Sequence, residues 1–117
     1  MNRFKELKVW QKAIDIVVEV YKLTVNFPQN ERFGLTSQVQ RASVSIPSNI
    51  AEGAGRNSKK EFYQFLGIAN GSSFEIETQL TVAYKLGYIS EDHLNSITPK
   101  INEVQNMIFK LQKTLVE

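Results

Sequence analysis

The sequence predicts an all-α protein, a single bundle of four helices spanning residues 1–117, and three observations carry that prediction. Apolar residues recur at helical spacing through four long segments. The last of these, Leu94, Ile97, Ile101, Val104, Ile108, Leu111 and Leu115, steps 3,4,3,4,3,4 without a fault, the pattern of a bundle helix. Helix-ending and helix-capping residues separate the segments: Pro28, the glycines 53 and 55 followed by the capping box Ser58-Lys59-Lys60-Glu61, and Gly87 followed by Ser90.

The first helix is expected from Phe4 to Phe27, ending where Pro28 biases its predecessor away from helix. Leu7, Trp10, Ile14, Val17 and Tyr21 form one apolar stripe, and Val9, Ala13, Ile16, Val20 and Leu23 form a second. Together they cover about half the circumference, more than the stripe a little over 100° wide that a single bundle interface uses. The excess calls either for a neighbour from another subunit or for deep burial within one chain.

After the Pro28 turn, with Asn30 as cap of a short entry, the stretch from Leu35 to Arg56 organises the chain. Leu35, Val39, Ala42, Ile46, Ile50 and Gly53 line one side of a helix; Gln38, Arg41, Ser45, Asn49 and Glu52 line a strip beside it. Arg41 and Glu52 are the only charges between Thr36 and Gly55, so this helix reads as enclosed on most sides. Pro47 falls inside it and predicts one kinked helix, with Ser43 or Ser45 close to the freed carbonyl.

The third helix is expected from Lys59 to Leu86. Phe62, Phe65, Leu66, Ala69, Ser73, Ile76, Leu80 and Ala83 form its core stripe, and Ile68, Ser72, Glu75, Gln79 and Val82 an adjoining mixed one. Glu75 becomes the natural partner of Arg41, within a buried polar network of Gln38, Arg41, Ser45, Asn49, Glu52 and Glu75. Gly67 and Gly71 each cost roughly 1 kcal/mol against Ala in a helix, which predicts close approach of a neighbouring backbone. Tyr63 and Phe74 lie outside the core stripe. Ser90 caps the fourth helix, where Pro99 either bends the helix or restarts it.

Composition narrows the function classes. The absence of Cys excludes a disulfide framework and a thiolate metal site. The amino terminus MNRFKELKVW is too charged for a signal peptide, and Asp15 and Glu19 break the best apolar run, so a cytoplasmic protein without membrane contact is expected. A net charge of +2 permits anionic partners without demanding them. The only histidine, His93, has Ser90 three residues before it, which excludes the Glu-x-x-His pairs of carboxylate-bridged metal bundles. The segment AEGAGRNSKKEF offers glycines and cations at a helix start, yet GxxxxGK[ST] is absent and capping accounts for its residues. Glu52 and Glu75 are candidates for an acid and base pair, against which the buried ion network is the more economical reading. No catalytic residue, metal or cofactor is expected.

The residues QVQRASVSIPSNIA preceding EGAGR, with FYQFLGIANGSSFEIETQL and LGYI downstream and KVWQKA near the start, resemble the four-helix bundle proteins encoded by 23S rRNA intervening sequences. The resemblance implies an up-and-down bundle. Similarity to the accessory variability determinant of diversity-generating retroelements implies a five-fold barrel in contact with RNA or a reverse transcriptase.

These readings converge on a non-enzymatic interaction protein. The alternative is a small-molecule or enzymatic bundle built on Arg41, Glu52 and Glu75, whose sign would be a solvent-open pocket at those residues. Separate apolar excesses on the first and third helices point to a ring of copies, and the number five comes from the resemblance alone. Nucleic-acid contact is expected to be electrostatic, through Arg3, Lys5, Lys8 and Lys12 with Arg56, Lys59 and Lys60.

Overall fold

A computed structural model describes residues 3–116. Four helices follow one another: α1 Lys8–Thr24, α2 Leu35–Ala54, α3 Lys59–Lys85 and α4 Glu91–Thr114. Each packs on its neighbours in sequence and α4 returns to α1, in a body of 44 × 24 × 20 Å. Ser45 meets Ser72 and Gly53 lies under Phe62 and Phe65, so α2 and α3 run antiparallel; Lys12 meets Glu103 and Lys100 meets Glu19, so α1 and α4 do too. The bundle is therefore up-and-down. Ile16, Val20, Val39, Ile46, Ile50, Leu66, Ile76, Leu80, Ile97, Ile101, Val104 and Ile108 form its fully buried centre.

The helix starts follow the capping chemistry. Ser58 Oγ accepts from the Glu61 amide at 3.0 Å and Ser90 Oγ from the His93 amide at 3.0 Å. Gly87, at φ 80°, takes the left-handed turn after α3, a conformation open to glycine at no steric cost. The entry to α2 uses a different device. Asn30 supplies no cap; Glu31 does, accepting the Leu35 amide on Oε1 at 3.1 Å and the Tyr88 hydroxyl on Oε2 at 2.9 Å. One carboxylate thus ties the start of α2 to the turn between α3 and α4.

Both internal prolines are absorbed. α2 runs unbroken through Pro47, and Ser43 Oγ donates to Gln40 O at 2.8 Å while Ser45 Oγ bonds Ser72, so neither hydroxyl serves the carbonyl freed by Pro47. α4 runs unbroken through Pro99, with no restart, and Thr98 Oγ1 donates to Leu94 O at 2.7 Å. α1 is shorter than its pattern: Phe4–Glu6 form a separate 3-10 turn, and Leu7 is extended at ψ 123°.

Gly53 is a packing residue, whereas the cap falls to Gly55. A Cβ on Gly53 would lie 2.7 Å from Phe65 Cβ and 2.9 Å from Phe62 Cδ1. Gly71 has the opposite surroundings, with nothing within 4 Å of its would-be Cβ, so no backbone of this chain approaches it. Among the described residues no helix is long and apolar enough to cross a membrane.

Candidate functional site

The polar strip of α2 does not form a buried network within the chain. Gln38, Arg41, Glu52 and Glu75 are exposed, and Ser45 and Asn49 are half-buried. Arg41 and Glu75 line the same groove of about 290 Å³, beside Gln38, Ala42, Ser45 and Ser72, yet no ion pair joins them among the described residues. Glu52 pairs with Arg56 at 3.0 Å, Glu75 accepts from Gln79 Nε2 at 3.3 Å, and Asn49 Nδ2 donates back to Ser45 O at 2.8 Å. The physical reason is geometric. In a four-helix bundle each helix touches two neighbours; Ser45 reaches Ser72 within the α3 contact, while Gln38, Arg41 and Glu52 fall outside both contacts and face out.

The apolar excess of α1 behaves alike. Val9, Ala13, Ile16, Val20 and Leu23 are buried, but Trp10, Ile14 and Val17 of the other stripe line an open groove of about 270 Å³ with Phe4, Val44, Pro47, Ser48 and Ala51. This stripe is half-buried, not deeply buried, within the chain: Leu7 and Trp10 pack against the core from its edge. Tyr21, Phe74, Ile68 and Val82 are exposed as well.

Charge is distributed by face and by end. The α1 and α4 side carries cross-helix ion pairs, Lys12 to Glu103 at 3.3 Å and Lys100 to Glu19 at 2.7 Å. The Glu19 hydrogen bond, followed by its charge, holds the Lys100 ammonium above the usual lysine range. The α2 and α3 side has Arg41 and Glu75 as its sole unpaired charges between Thr36 and Gly55 and between Phe62 and Glu77, among the described residues. At the ends, the antiparallel course brings the starts of α1 and α3 together with the finishes of α2 and α4.

Lys12 lies farther along the bundle, against Glu103 at the middle of α4, and the other sequence-selected cations, Arg3, Lys5, Lys8, Arg56, Lys59 and Lys60, share one pole. Lys110 and Lys113, on the last turns of α4, join them, which sequence reading missed because they lie some fifty residues from the nearest cluster. Arg3 is engaged by Glu6, Lys12 by Glu103 and Arg56 by Glu52 and Glu61. Lys5, Lys8, Lys59, Lys60, Lys110 and Lys113 form no ion pair among the described residues and are exposed. Among the described residues no group of three or more His, Cys, Asp or Glu is placed to hold a metal ion.

Residues 5–110 match the family model of the 23S rRNA-intervening sequence protein. The chain belongs to that family. A solved structure of similar fold is a protein with unknown function from the S23 ribosomal protein family of Bacteroides thetaiotaomicron VPI-5482. It is 27% identical with a TM-score of 0.80, over 90% of this chain and 98% of that one. No curated protein matches the chain. Membership in the 23S rRNA-intervening sequence family accounts for the bundle and its up-and-down order, and the basic pole is the feature of this chain with the plainest chemical use.

Proposed function

We propose that this protein is a non-catalytic scaffold in the cytoplasm, a helical bundle that self-associates into a closed ring of five copies and presents its basic pole to RNA. The observation that carries the reading is the sorting of charge: six lysines without acidic partners among the described residues at one pole, against a side made by α2 and α3 that is almost bare of charge and flanked by open apolar surface. Unpaired cations in one place attract a phosphate backbone at little desolvation cost. The grooved flank of α1 and α2 and the aromatic flank of α3 are different surfaces, which is what a ring uses, since each copy contacts two neighbours through two unlike faces. The family resemblance supplies the number five and the class of nucleic acid.

Two measurements test this. Light scattering on dilute protein should give a mass several times the single-chain 13.4 kDa; a mass near 13.4 kDa refutes the ring. Purification at low salt should retain RNA that is shed as salt rises, and protein free of nucleic acid under those conditions counts against RNA as partner.

A second reading is favoured by one observation, the solvent-open groove between α2 and α3 lined by Arg41, Ser45, Ser72 and Glu75. A small anionic molecule seated on Arg41 would raise the melting temperature of the wild type and leave Arg41→Ala unchanged.

A further inference from the structure

Where α3 begins and α4 ends, two exposed aromatics stand among the unpaired lysines. Tyr63 is 40% exposed and Phe109 51% exposed, and neither belongs to the core. The helices that carry them are clamped together at this height by Gln112, buried in the seam, whose Nε2 donates to Tyr63 O at 3.2 Å. Lys59 lies one turn before Tyr63 and Lys113 one turn after Phe109, so each ring has an ammonium four residues away towards the pole, the spacing at which helical side chains are neighbours. Lys60 and Lys110 flank them.

The dipole of α4 suits Lys113 in its last turn, whereas the placement of Lys59 and Lys60 is not explained by the fold. Lys59 and Lys60 occupy the first turn of α3, where the helix dipole disfavours cations, and Glu61 answers Ser58 and Arg56 instead of either lysine. A second copy of the chain is a poor cover for the seam, because it would bury four cations that have no acidic partner among the described residues. Phe74, by contrast, sits farther along α3 in the charge-poor middle of the bundle, where an apolar neighbour suits it.

We propose that the α3–α4 seam at the basic pole binds single-stranded nucleic acid, with Tyr63 and Phe109 stacking on unpaired bases while Lys59, Lys60, Lys110 and Lys113 hold the flanking phosphates. This rests on the RNA reading above and deepens it from backbone attraction to strand type. Stacking demands bases released from a helix, whereas ammonium groups alone take single strands and duplexes alike. Every base has a π face, so little sequence preference follows.

The test is fluorescence anisotropy at low salt with a labelled oligouridylate, a labelled oligothymidylate and an RNA duplex of equal length. The wild type should bind the single strands more tightly than the duplex. Tyr63→Ala and Phe109→Ala should each weaken single-strand binding about fivefold to a hundredfold and leave the salt slope unchanged, and Tyr63→Phe should retain affinity. Lys59→Gln or Lys113→Gln should reduce the slope of log K against log salt by about 0.7 each. Aromatic variants that bind as the wild type does, or a duplex bound as tightly as a single strand, would overturn the seam while leaving the electrostatic reading intact. Absence of binding to all three probes would overturn both. A lower mass for Tyr63→Ala by light scattering would assign the ring to a self-interface and defeat the proposal by another route.

Discussion

Gly53→Ala is the substitution on which the packing of this bundle can be judged most sharply, because helix propensity and tertiary contact predict opposite signs. Gly to Ala inside an exposed helix stabilises by about 1 kcal/mol, since alanine loses less backbone freedom on folding. At Gly53 the added methyl would stand 2.7 Å from Phe65 Cβ, an atom fixed to the α3 backbone, and 2.9 Å from Phe62 Cδ1. Rotamer changes cannot move a Cβ, so α2 and α3 must separate locally, and overpacking of that kind costs about 1 to 3 kcal/mol, with the rigid case at the upper end. The expected net loss is about 1 to 2 kcal/mol, or roughly 4 to 8 °C in melting temperature for a domain of this size.

Gly71→Ala is the matched control: the same change, in a helix, with nothing within 4 Å of the new methyl. It should gain about 0.5 to 1 kcal/mol. Thermal melts followed by circular dichroism, with urea unfolding to confirm an unchanged m-value, measure both. A melting temperature for Gly53→Ala at or above the wild type would refute the close-contact account of the α2–α3 junction. A drop for Gly71→Ala would mean that another chain covers that face.

Three further outcomes follow from the side-chain geometry. Arg41→Ala should change stability by no more than about 0.5 kcal/mol, because the guanidinium is exposed and unpaired; a loss of several kcal/mol in the melt would restore the buried network. Glu31 holds the Tyr88 phenol above the usual tyrosine range, first by accepting its hydrogen bond. A group whose folded pKa is raised adds stability that is complete below its ordinary value of 10.0 and disappears as pH climbs through the folded value, so an alkaline unfolding curve should shift down in pH for Glu31→Gln. Ultraviolet titration should show a late-ionising tyrosine in the wild type that is lost in Glu31→Gln.

The helices were legible because the information that specifies them is local. A 3,4 repeat, a serine three residues ahead of its amide partner and a glycine at positive φ need no knowledge of the rest of the chain, and Ser58, Ser90 and Gly87 act as their positions suggest. The strip through Arg41 failed for the complementary reason. A scarcity of charge does not by itself show that a face is covered, and here Gln38, Arg41, Glu52 and Glu75 are exposed. Glu31 escaped notice because one of its partners, Tyr88, is 57 residues away, and no periodicity marks a side chain that joins two turns. Lys110 and Lys113 were missed in the same way, since only the antiparallel return of α4 carries them to the pole of Lys59 and Lys60.

The proposed ring and the basic pole would bear on each other through symmetry. Bundles standing along the axis of a cyclic assembly gather their poles on a single rim, whereas a two-fold pair lying across its axis would send them to opposite ends. The number of phosphates one strand can meet at once then depends on the assembly. One subunit offers six lysines unpaired among the described residues, Lys5, Lys8, Lys59, Lys60, Lys110 and Lys113, which sets a limiting salt slope for a single strand of about −4. A strand that crosses from one pole to the next would exceed that limit, and would gain avidity because the second pole engages at high effective concentration. A slope steeper than about −4 for a long oligouridylate, falling back to that limit or below for a short one, is therefore the signature of a shared rim. Equal slopes for both lengths would mean that each pole acts alone, whatever mass the assembly has.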